Sequence, residues 1–468
     1  MNDALLQLYH RLPASTRSVA ASLRGYYLRS WYYGPETERL AAEALERDQW
    51  SHVQWQTWQE EQLARVLHRA ATQIPYYREQ WNARRQRGDR ASWEYLENWP
   101  ILEKEPLREN PKRFVADDCD VRRMFSLTTS GTSGKPLSLW SSRGPLRSWY
   151  ALLEARARHW AGVSRHDPWA RLAGQLVVPV SQIKPPFWVF NTALNQLYMS
   201  SHHLAPQLVP HYLDALSRFR IKYLLGYSSS LNALAQEALR LKRDDLKMTV
   251  VITIAEPLLD YQRQAISEAF HCPVRQTYGM VEAVAAASEC ESGGLHSWPE
   301  VGVIEVLEAN QPVPPDTSGE LVCTSLLNVD MPLIRYRVGD RGSLAAGDSV
   351  CDCGRTLPIV NAIEGRNNDL LITQDGRRVF WLNPIFYGLP VREAQIIQER
   401  LDRVRVRYVP TQDFTAEGGR SITRRLRERV GNVSVILERV DEVPRGANGK
   451  FRAVICKVPA EERQSLGC

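Results

Sequence analysis

The chain has 468 residues, 44% of them hydrophobic and 24% charged, with a formal net charge of +6; this suits one large domain with a small companion and excludes a disordered or fibrous protein. No run approaches the roughly 20 apolar residues of a bilayer span, and residues 1–31 carry charges and Pro13 where an export signal needs an apolar centre. Eight cysteines scattered over this length suit a reducing compartment, so a cytoplasmic protein without a membrane span is expected.

Residues 1–115 read as helix and connecting loop. The clearest stripe is Leu63, Val66, Leu67, Ala70 and Ile74, which Pro75 ends. The many aromatics here, among them Trp31, Tyr32, Trp55, Tyr77, Trp81 and Trp99, read as core and receive no chemical role. From about 124 to 340 short apolar runs alternate with helical stretches: Val250–Ile254 as a strand, 261–270 as a helix, 274–277 as a further strand. That alternation predicts an α/β fold with a largely parallel sheet, whose ligands bind beyond the carboxyl ends of the strands. Beyond 300 the pattern changes to antiparallel strands, including 302–307 and 319–326. A smaller unit is expected after Gly365-Arg366, with an Asp375-Gly376 turn, a helix carrying Ile422, Leu426 and Val430, and a strand near 433–437. The boundary falls at 366–368, giving a large domain over 1–366 and a small one over 367–468. The arginines crowded between Arg400 and Arg429 alternate with acids and apolar positions. They read as a solvated face, not a nucleic-acid patch.

Thr128-Thr129-Ser130-Gly131-Thr132-Ser133-Gly134-Lys135 lies between two strand candidates, 124–127 and 137–140. Glycine-exposed N–H groups, hydroxyls and an ammonium are what a polyphosphate requires. The spacing fails the Walker pattern, because Thr129 stands five before Gly134 and Pro136 follows Lys135. Taken alone, the segment could equally be a Gly/Ser-rich surface turn. A second cluster, Cys290-x5-His296 with Cys351-x-Cys353, supplies three thiols and an imidazole, a complete tetrahedral set for structural zinc. Reduced, unliganded cysteines in loops are the competing reading.

The loop resembles the phosphate-binding loop of the adenylate-forming superfamily, which holds acyl-CoA synthetases, luciferases and adenylation domains. Further segments follow in that superfamily's order. Ala255-Glu256-Pro257 resembles the segment against adenine, Thr277-Tyr278-Gly279-Met280-Val281-Glu282 resembles Y-G-x-x-E, and Tyr336-Arg337-Val338-Gly339-Asp340 resembles Y-x-x-G-D. Gly365-Arg366-Asn367-Asn368-Asp369 resembles G-R-x-D-D, and Arg445-Gly446-Ala447-Asn448-Gly449-Lys450 resembles R-x-x-x-G-K. Within the superfamily the chain is most similar to the phenylacetate-CoA ligase group and its CapK-like branch, through Ile74-Pro75-Tyr76-Tyr77-Arg78, Trp99–Lys104 and Leu225–Ser228.

The resemblance implies a large domain of parallel sheets, helices and a small barrel-like part, a small mobile α+β C-terminal domain, and an active site between them. It implies an AMP-forming ligase that uses ATP and Mg²⁺ to make an acyl-adenylate from a carboxylic acid. The acyl group then passes to the thiol of CoA or a carrier protein or, alternatively, to an amine. Glu282 is then the Mg²⁺ ligand, Asp340 the acceptor for ribose hydroxyls, Arg366 a fork for ribose or phosphate oxygens, and Lys450 the cation that neutralises charge as pyrophosphate leaves. Thr128–Lys135, Ala255, Glu256, Pro257, Tyr278 and Gly279 complete the ATP site. His202, His203, Tyr227 and Ser228 fall where the superfamily builds its acyl pocket. Two positions depart from the pattern: Asn368 stands where the hinge is usually Asp or Lys, and Thr373–Arg378 reads as a hairpin turn where CoA ligases line a pantetheine tunnel.

Overall fold

The computed structural model describes residues 3–129, 137–179, 181–366, 371–374, 378–379, 382, 385–386, 389–445, 451–459 and 461–462. The N-terminal part is helical: α1 (Asp3–Arg11), α2 (Ala14–Tyr32), α3 (Thr37–Arg47), α4 (His52–Gln73), α5 (Pro75–Gln86) and α6 (Lys104–Glu109). Ser51 starts α4 with a reciprocal capping box to Gln54. Pro75 does two things: it cannot continue α4, and its fixed φ and missing N–H suit the first position of α5. The predicted stripe is the inner face of α4, with Val66, Leu67, Ala70 and Ile74 packed among Tyr77, Trp81, Trp99 and Phe114. Among the described residues no helix is long and apolar enough to cross a membrane.

A hairpin of β1 (Phe125–Thr128) and β2 (Ser138–Ser141) leads into α7 (Arg143–Leu152). The central sheet has eight strands, β3 (Trp169–Ala173), β4 (Trp188–Asn191), β5 (Gln196–Ser200), β6 (Tyr223–Tyr227), β7 (Val250–Ile254), β8 (Val274–Gly279), β9 (Ala286–Glu289) and β10 (Leu295–Ser297). Their spatial order is β10-β9-β8-β7-β6-β3-β5-β4. The inner run from β5 to β8 is parallel, and the edges are antiparallel. Helices α8 (Val209–Arg218), α9 (Ser228–Arg240) and α10 (Asp260–Phe270) supply crossovers. Period-two alternation divides β3: Ala170 and Leu172 join the core with α8 and α9, while Trp169 stacks on Tyr223 on the opposite face.

A second sheet runs in the order β12-β11-β13-β14-β15, from β11 (Gly302–Glu308), β12 (Gln311–Pro312), β13 (Gly319–Ser325), β14 (Tyr336–Leu344) and β15 (Val360–Arg366). Its β11–β13 ladder is antiparallel, as the sequence pattern suggested. After it come the short antiparallel pair β16 (Leu371–Ile372) and β17 (Arg378–Val379). The Asp375-Gly376 turn and Asn368 lie outside the described residues. The last sheet has the order β20-β19-β18-β21, from β18 (Val391–Arg400), β19 (Arg403–Pro410), β20 (Ser434–Arg439) and β21 (Val454–Cys456). Helix α11 (Ala416–Val430) sets Ile422, Leu426 and Val430 against its Ile396, Val404 and Val406. The arginines here are paired: Arg405 and Arg407 with Glu438, Arg420 with Glu417, Arg424 with Glu428.

The chain divides into two compact units. The first is Met1–Leu258, Arg263–Val338 and Gly342–Ile363; the second is Leu259–Gln262, Gly339–Arg341 and Glu364–Cys468.

Candidate active site

The motif residues of the central sheet gather at the carboxyl ends of adjacent parallel strands. Strand β6 ends at Tyr227, and Ser228 opens α9; β7 ends at Ile254, and the segment 255–257 follows directly. Ala255 holds φ +62, and the Glu256 N–H closes on the Ile254 carbonyl at 2.8 Å. This is a tight γ-turn of the strained hand, costing on the order of 1–2 kcal/mol, a conformation that persists where the surroundings impose it and that clusters at binding sites. Part of what imposes it is Glu256. Its buried carboxylate accepts the Ser229 N–H at 3.0 Å and lies 3.3 Å from Ser228 Oγ, which also lies 2.8 Å from the Pro257 carbonyl. A carboxylate on the first N–H groups of α9 is favourable both as a cap and against the helix dipole. The Glu256 side chain therefore holds the turn.

Two further motifs meet through one hydrogen bond. Glu282 follows β8 in a turn, half-buried, and Tyr336, fully buried at the start of β14, donates its hydroxyl to Glu282 Oε1 at 3.2 Å. Thr277 Oγ1 donates to the Thr253 carbonyl at 2.9 Å and ties β8 to β7. Around Tyr336 the backbone is fixed by the 99–104 segment: Leu102 N donates to Arg335 O, Arg337 N donates to Leu102 O, and Lys104 Nζ donates to Val338 O at 2.7 Å. This gives the W-P-x-L-x-K stretch a physical task in holding the Y-x-x-G-D strand. Asp340 is half-buried in β14, directly after Gly339 with φ +83. Thr129 pins the stem of the glycine-rich loop, accepting the Leu137 N–H on its Oγ1 at 2.9 Å and donating its own N–H to the Leu137 carbonyl. Ser130, Gly131, Thr132, Ser133, Gly134, Lys135 and Lys450 lie outside the described residues, as does the side chain of Arg366.

The acyl-pocket candidates divide. His203 is buried, stacked on Phe187 and joined through Nδ1 to Ser200 Oγ at 2.8 Å, so its ring is part of the packing. His202 is half-buried with Nε2 shielded from solvent, and burial holds it below the usual histidine range. Tyr227 closes β6, and burial raises its phenol.

The cysteine and histidine set is assembled. Ligand atoms of Cys290, His296, Cys351 and Cys353 all lie within 4.8 Å of one another. Cys290 Sγ and Cys351 Sγ are 3.7 Å apart, and Cys353 Sγ is 3.3 Å from His296 Nε2. Tetrahedral zinc, with Zn–S near 2.3 Å and Zn–N near 2.0–2.1 Å, requires edges of about 3.8 and 3.6 Å, so the set fits. Two matched turns build it. Gly293 N donates to Cys290 O at 3.1 Å and Gly354 N to Cys351 O at 2.9 Å, with both glycines at positive φ. A Cβ on Gly294 would stand 2.7 Å from Cys351 Sγ, which makes glycine necessary there. His296 Nδ1 bonds the Leu357 carbonyl at 3.1 Å, fixing the tautomer that aims Nε2 at the thiols. Burial pushes the Cys290 thiol up to about 12 and the His296 imidazole down, so a cation would meet a neutral imidazole and would have to displace the thiol proton.

Outside these ligands stands a set of residues the sequence reading passed over. The Trp160 ring meets His296 edge-on at 5.9 Å, its Nε1 donates to Asp48 at 2.9 Å, and the Arg355 guanidinium covers it at 4.4 Å. Asp48 also accepts from the fully buried Arg156, whose other nitrogens fork onto Glu300 at 2.6 and 2.9 Å. These residues sit far apart in sequence, and nothing in their local patterns marks them.

Most of the chain superposes on a solved 2-hydroxyisobutyryl-CoA ligase in its postadenylation state, in complex with R3-HIB-AMP. The TM-score is 0.67 at 21% identity, covering 93% of this chain and 94% of that one. The fold is that of the adenylate-forming CoA ligases. Residues 371–457 match the model of the CapK C-terminal domain. Protein CapK of Staphylococcus aureus is 27% identical over 76% of this chain and 79% of its own length. A phenylacetate-coenzyme A ligase of Thermus thermophilus is 25% identical over 90% and 99%. CapK and the phenylacetate-CoA ligases are thus this chain's relatives, as the motifs indicated.

Proposed function

We propose that this protein uses ATP to convert a carboxylic acid into an acyl-adenylate with release of pyrophosphate, and then passes the acyl group to the thiol of CoA. The observation that carries the reading is the meeting of separate motifs at one sheet end: the Ala255 γ-turn, the Tyr278-Gly279 strand end and the Glu282–Tyr336 hydrogen bond. The likeness to CoA ligases, one of them solved with an acyl-adenylate, supports it.

In this reading the adenine rests along residues 255–257, Asp340 accepts the ribose hydroxyls, and Thr128–Lys135 hold the pyrophosphate moiety. The substrate carboxylate attacks the α-phosphorus in line and pyrophosphate departs, so no protein nucleophile is needed. Arg366 and Lys450 stabilise the charge that develops on the α-phosphate and leaving oxygens. Glu282 suits Mg²⁺, because Tyr336 occupies one lone pair and orients the carboxylate with oxygens to spare; the ion neutralises phosphate charge. Structural zinc is held by Cys290, His296, Cys351 and Cys353, and four protein ligands leave no open position for chemistry. We assign residues 1–366 and 367–468 to the adenylating and C-terminal domains, and the protein to the cytoplasm, where ATP and reduced thiols coexist.

The test is pyrophosphate exchange into ATP across a panel of carboxylic acids, followed by thioester formation when CoA is added. ATP binding with no acid supporting exchange would overturn the adenylation; exchange without thioester would overturn the CoA step.

A further inference from the structure

Strand β3 carries one charged residue in an otherwise apolar run, Trp169-Ala170-Arg171-Leu172-Ala173. Arg171 lies on the same face as Trp169, away from α8 and α9. Its guanidinium sits over the ring of Tyr198, 5.5 Å from the centroid. The hydroxyls of Tyr150, Tyr32 and Tyr227 lie within electrostatic reach of it, and Tyr32 and Tyr150 stack at 3.9 Å. Burial raises the phenols of Tyr150, Tyr198 and Tyr227, so this wall stays neutral. Arg171 Nε is buried without a hydrogen-bond partner. Among the described residues no carboxylate pairs with Arg171.

An arginine in such a place is costly. Arg171 as a whole is half-buried, so the cost falls on the shielded, unbonded Nε, on the order of 1–3 kcal/mol. Cation–π contact with tyrosine returns only about 0.5–2 kcal/mol, and a methionine would fill the same volume without the cost. Its place in the fold indicates which anion it would meet. Arg171 stands two residues inside the carboxyl end of β3, beside β6, and the backbone of Gly174 just beyond is bonded by both Tyr227 and His202. Tyr227 in turn interacts electrostatically with Glu256 of the γ-turn. The guanidinium therefore stands at the aromatic end of a line of contacts that runs through Tyr227 to Glu256 of the γ-turn.

Resting on the acid-activating reading above, we infer that Arg171 is a specificity-determining residue that pairs with a second anionic group at the far end of the substrate, so that the acid activated here is a dianion, in the simplest case a dicarboxylate. The planar fork suits a distal carboxylate bidentately, and the neutral tyrosines flank the body between the two charged ends.

The test uses the full chain and matched pairs: succinate, adipate, suberate and terephthalate, each against its monomethyl ester, by calorimetric binding and by pyrophosphate exchange. The expected result is that at least one diacid binds and exchanges on the order of 10- to 100-fold better than its ester. Arg171→Met should erase that ratio while leaving the ester's own values within a few-fold, and Arg171→Lys should keep part of the preference. Equal performance of diacids and esters, or a preference unchanged in Arg171→Met, overturns the inference while leaving adenylation standing. Diacid binding that depends on Arg171 but brings no exchange overturns the adenylation reading instead. If Arg171→Met unfolds, a diacid preference in Tyr198→Phe and Arg171→Lys, both of which keep the charge, supports the inference, and its absence in wild type sinks it.

Discussion

The cysteine and histidine cluster and the carboxyl end of the central sheet are built on opposite plans. In the cluster every donor is already at ligand spacing, each Cys turn is locked by a glycine at positive φ, and the imidazole is held from behind by Leu357 and flanked by Trp160. At the sheet end the turns are fixed, through Ala255, Glu256 and Tyr336, while among the described residues assigned to the nucleotide Thr128, Ala255, Pro257 and Gly279 are exposed and Tyr278, Glu282 and Asp340 are half-buried. A site that holds a permanent ion can spend its donors inward, whereas a site that admits and releases a substrate must keep them facing outward. Mutations should therefore split cleanly, cluster changes acting on stability and sheet-end changes on rate.

The largest effect expected is in the cluster. Zinc binding contributes on the order of 10 kcal/mol in small structural sites, so Cys351→Ser should lose stoichiometric metal and lower the melting temperature by roughly 10 °C or more. Metal analysis of protein purified without added zinc, beside calorimetric melting, checks it. Unchanged melting would mean that the thiols are ordinary buried cysteines.

Next in size is Arg156→Met. It removes the main partner of two buried carboxylates, leaving Glu300 with Arg47 and Asp48 with Trp160, at a cost of about 3 kcal/mol. Because Asp48 also accepts from Trp160, the change should loosen the shell behind His296 and make zinc easier to strip by a chelator. A melting loss with unchanged chelation kinetics would separate the ion network from the cluster.

Lys450→Ala tests the proposed chemistry, on the rate side of the contrast. Removing a cation that acts in the transition state costs about 10²–10³ in rate, with metal content and melting unchanged. Pyrophosphate exchange measures it, and a rate within a few-fold of wild type would remove Lys450 from catalysis.

How much of this was legible in the sequence follows from what each feature depends on. Strand Val250–Ile254 and the helix after it are written in local pattern, and the structure has them where the sequence put them; Cys290, His296, Cys351 and Cys353 could be named from residue type, and the structure gathers them. Glu282 could be named from its motif. Its partner Tyr336 could be named too, but not the bond between them, which spans 54 positions and depends on two sheets meeting. Arg171, Trp160 and Arg156 have no motif. Arg171 alone had a signal, a charge inside an apolar run, and periodicity explains such a residue as amphipathic unless the opposite wall is known. Glu256, which the resemblance sets against adenine, also has a use that no motif shows: its carboxylate accepts an N–H at the N-terminus of α9.

The smallest effect tests the finest part of the contrast. Tyr336→Phe removes one hydroxyl that donates to Glu282 and leaves the ring, which is fully buried, in place. A hydrogen bond to a charged group contributes about 1.5–3 kcal/mol when fully buried, but Glu282 is only half-buried and water can replace the lost donor, so about 1 kcal/mol is expected. If the carboxylate serves Mg²⁺, that loss should appear as a several-fold rise in the Mg²⁺ concentration needed for half-maximal exchange, with little change at saturating Mg²⁺. A structural hydrogen bond would behave otherwise: melting would fall, and the Mg²⁺ dependence would stay where it was.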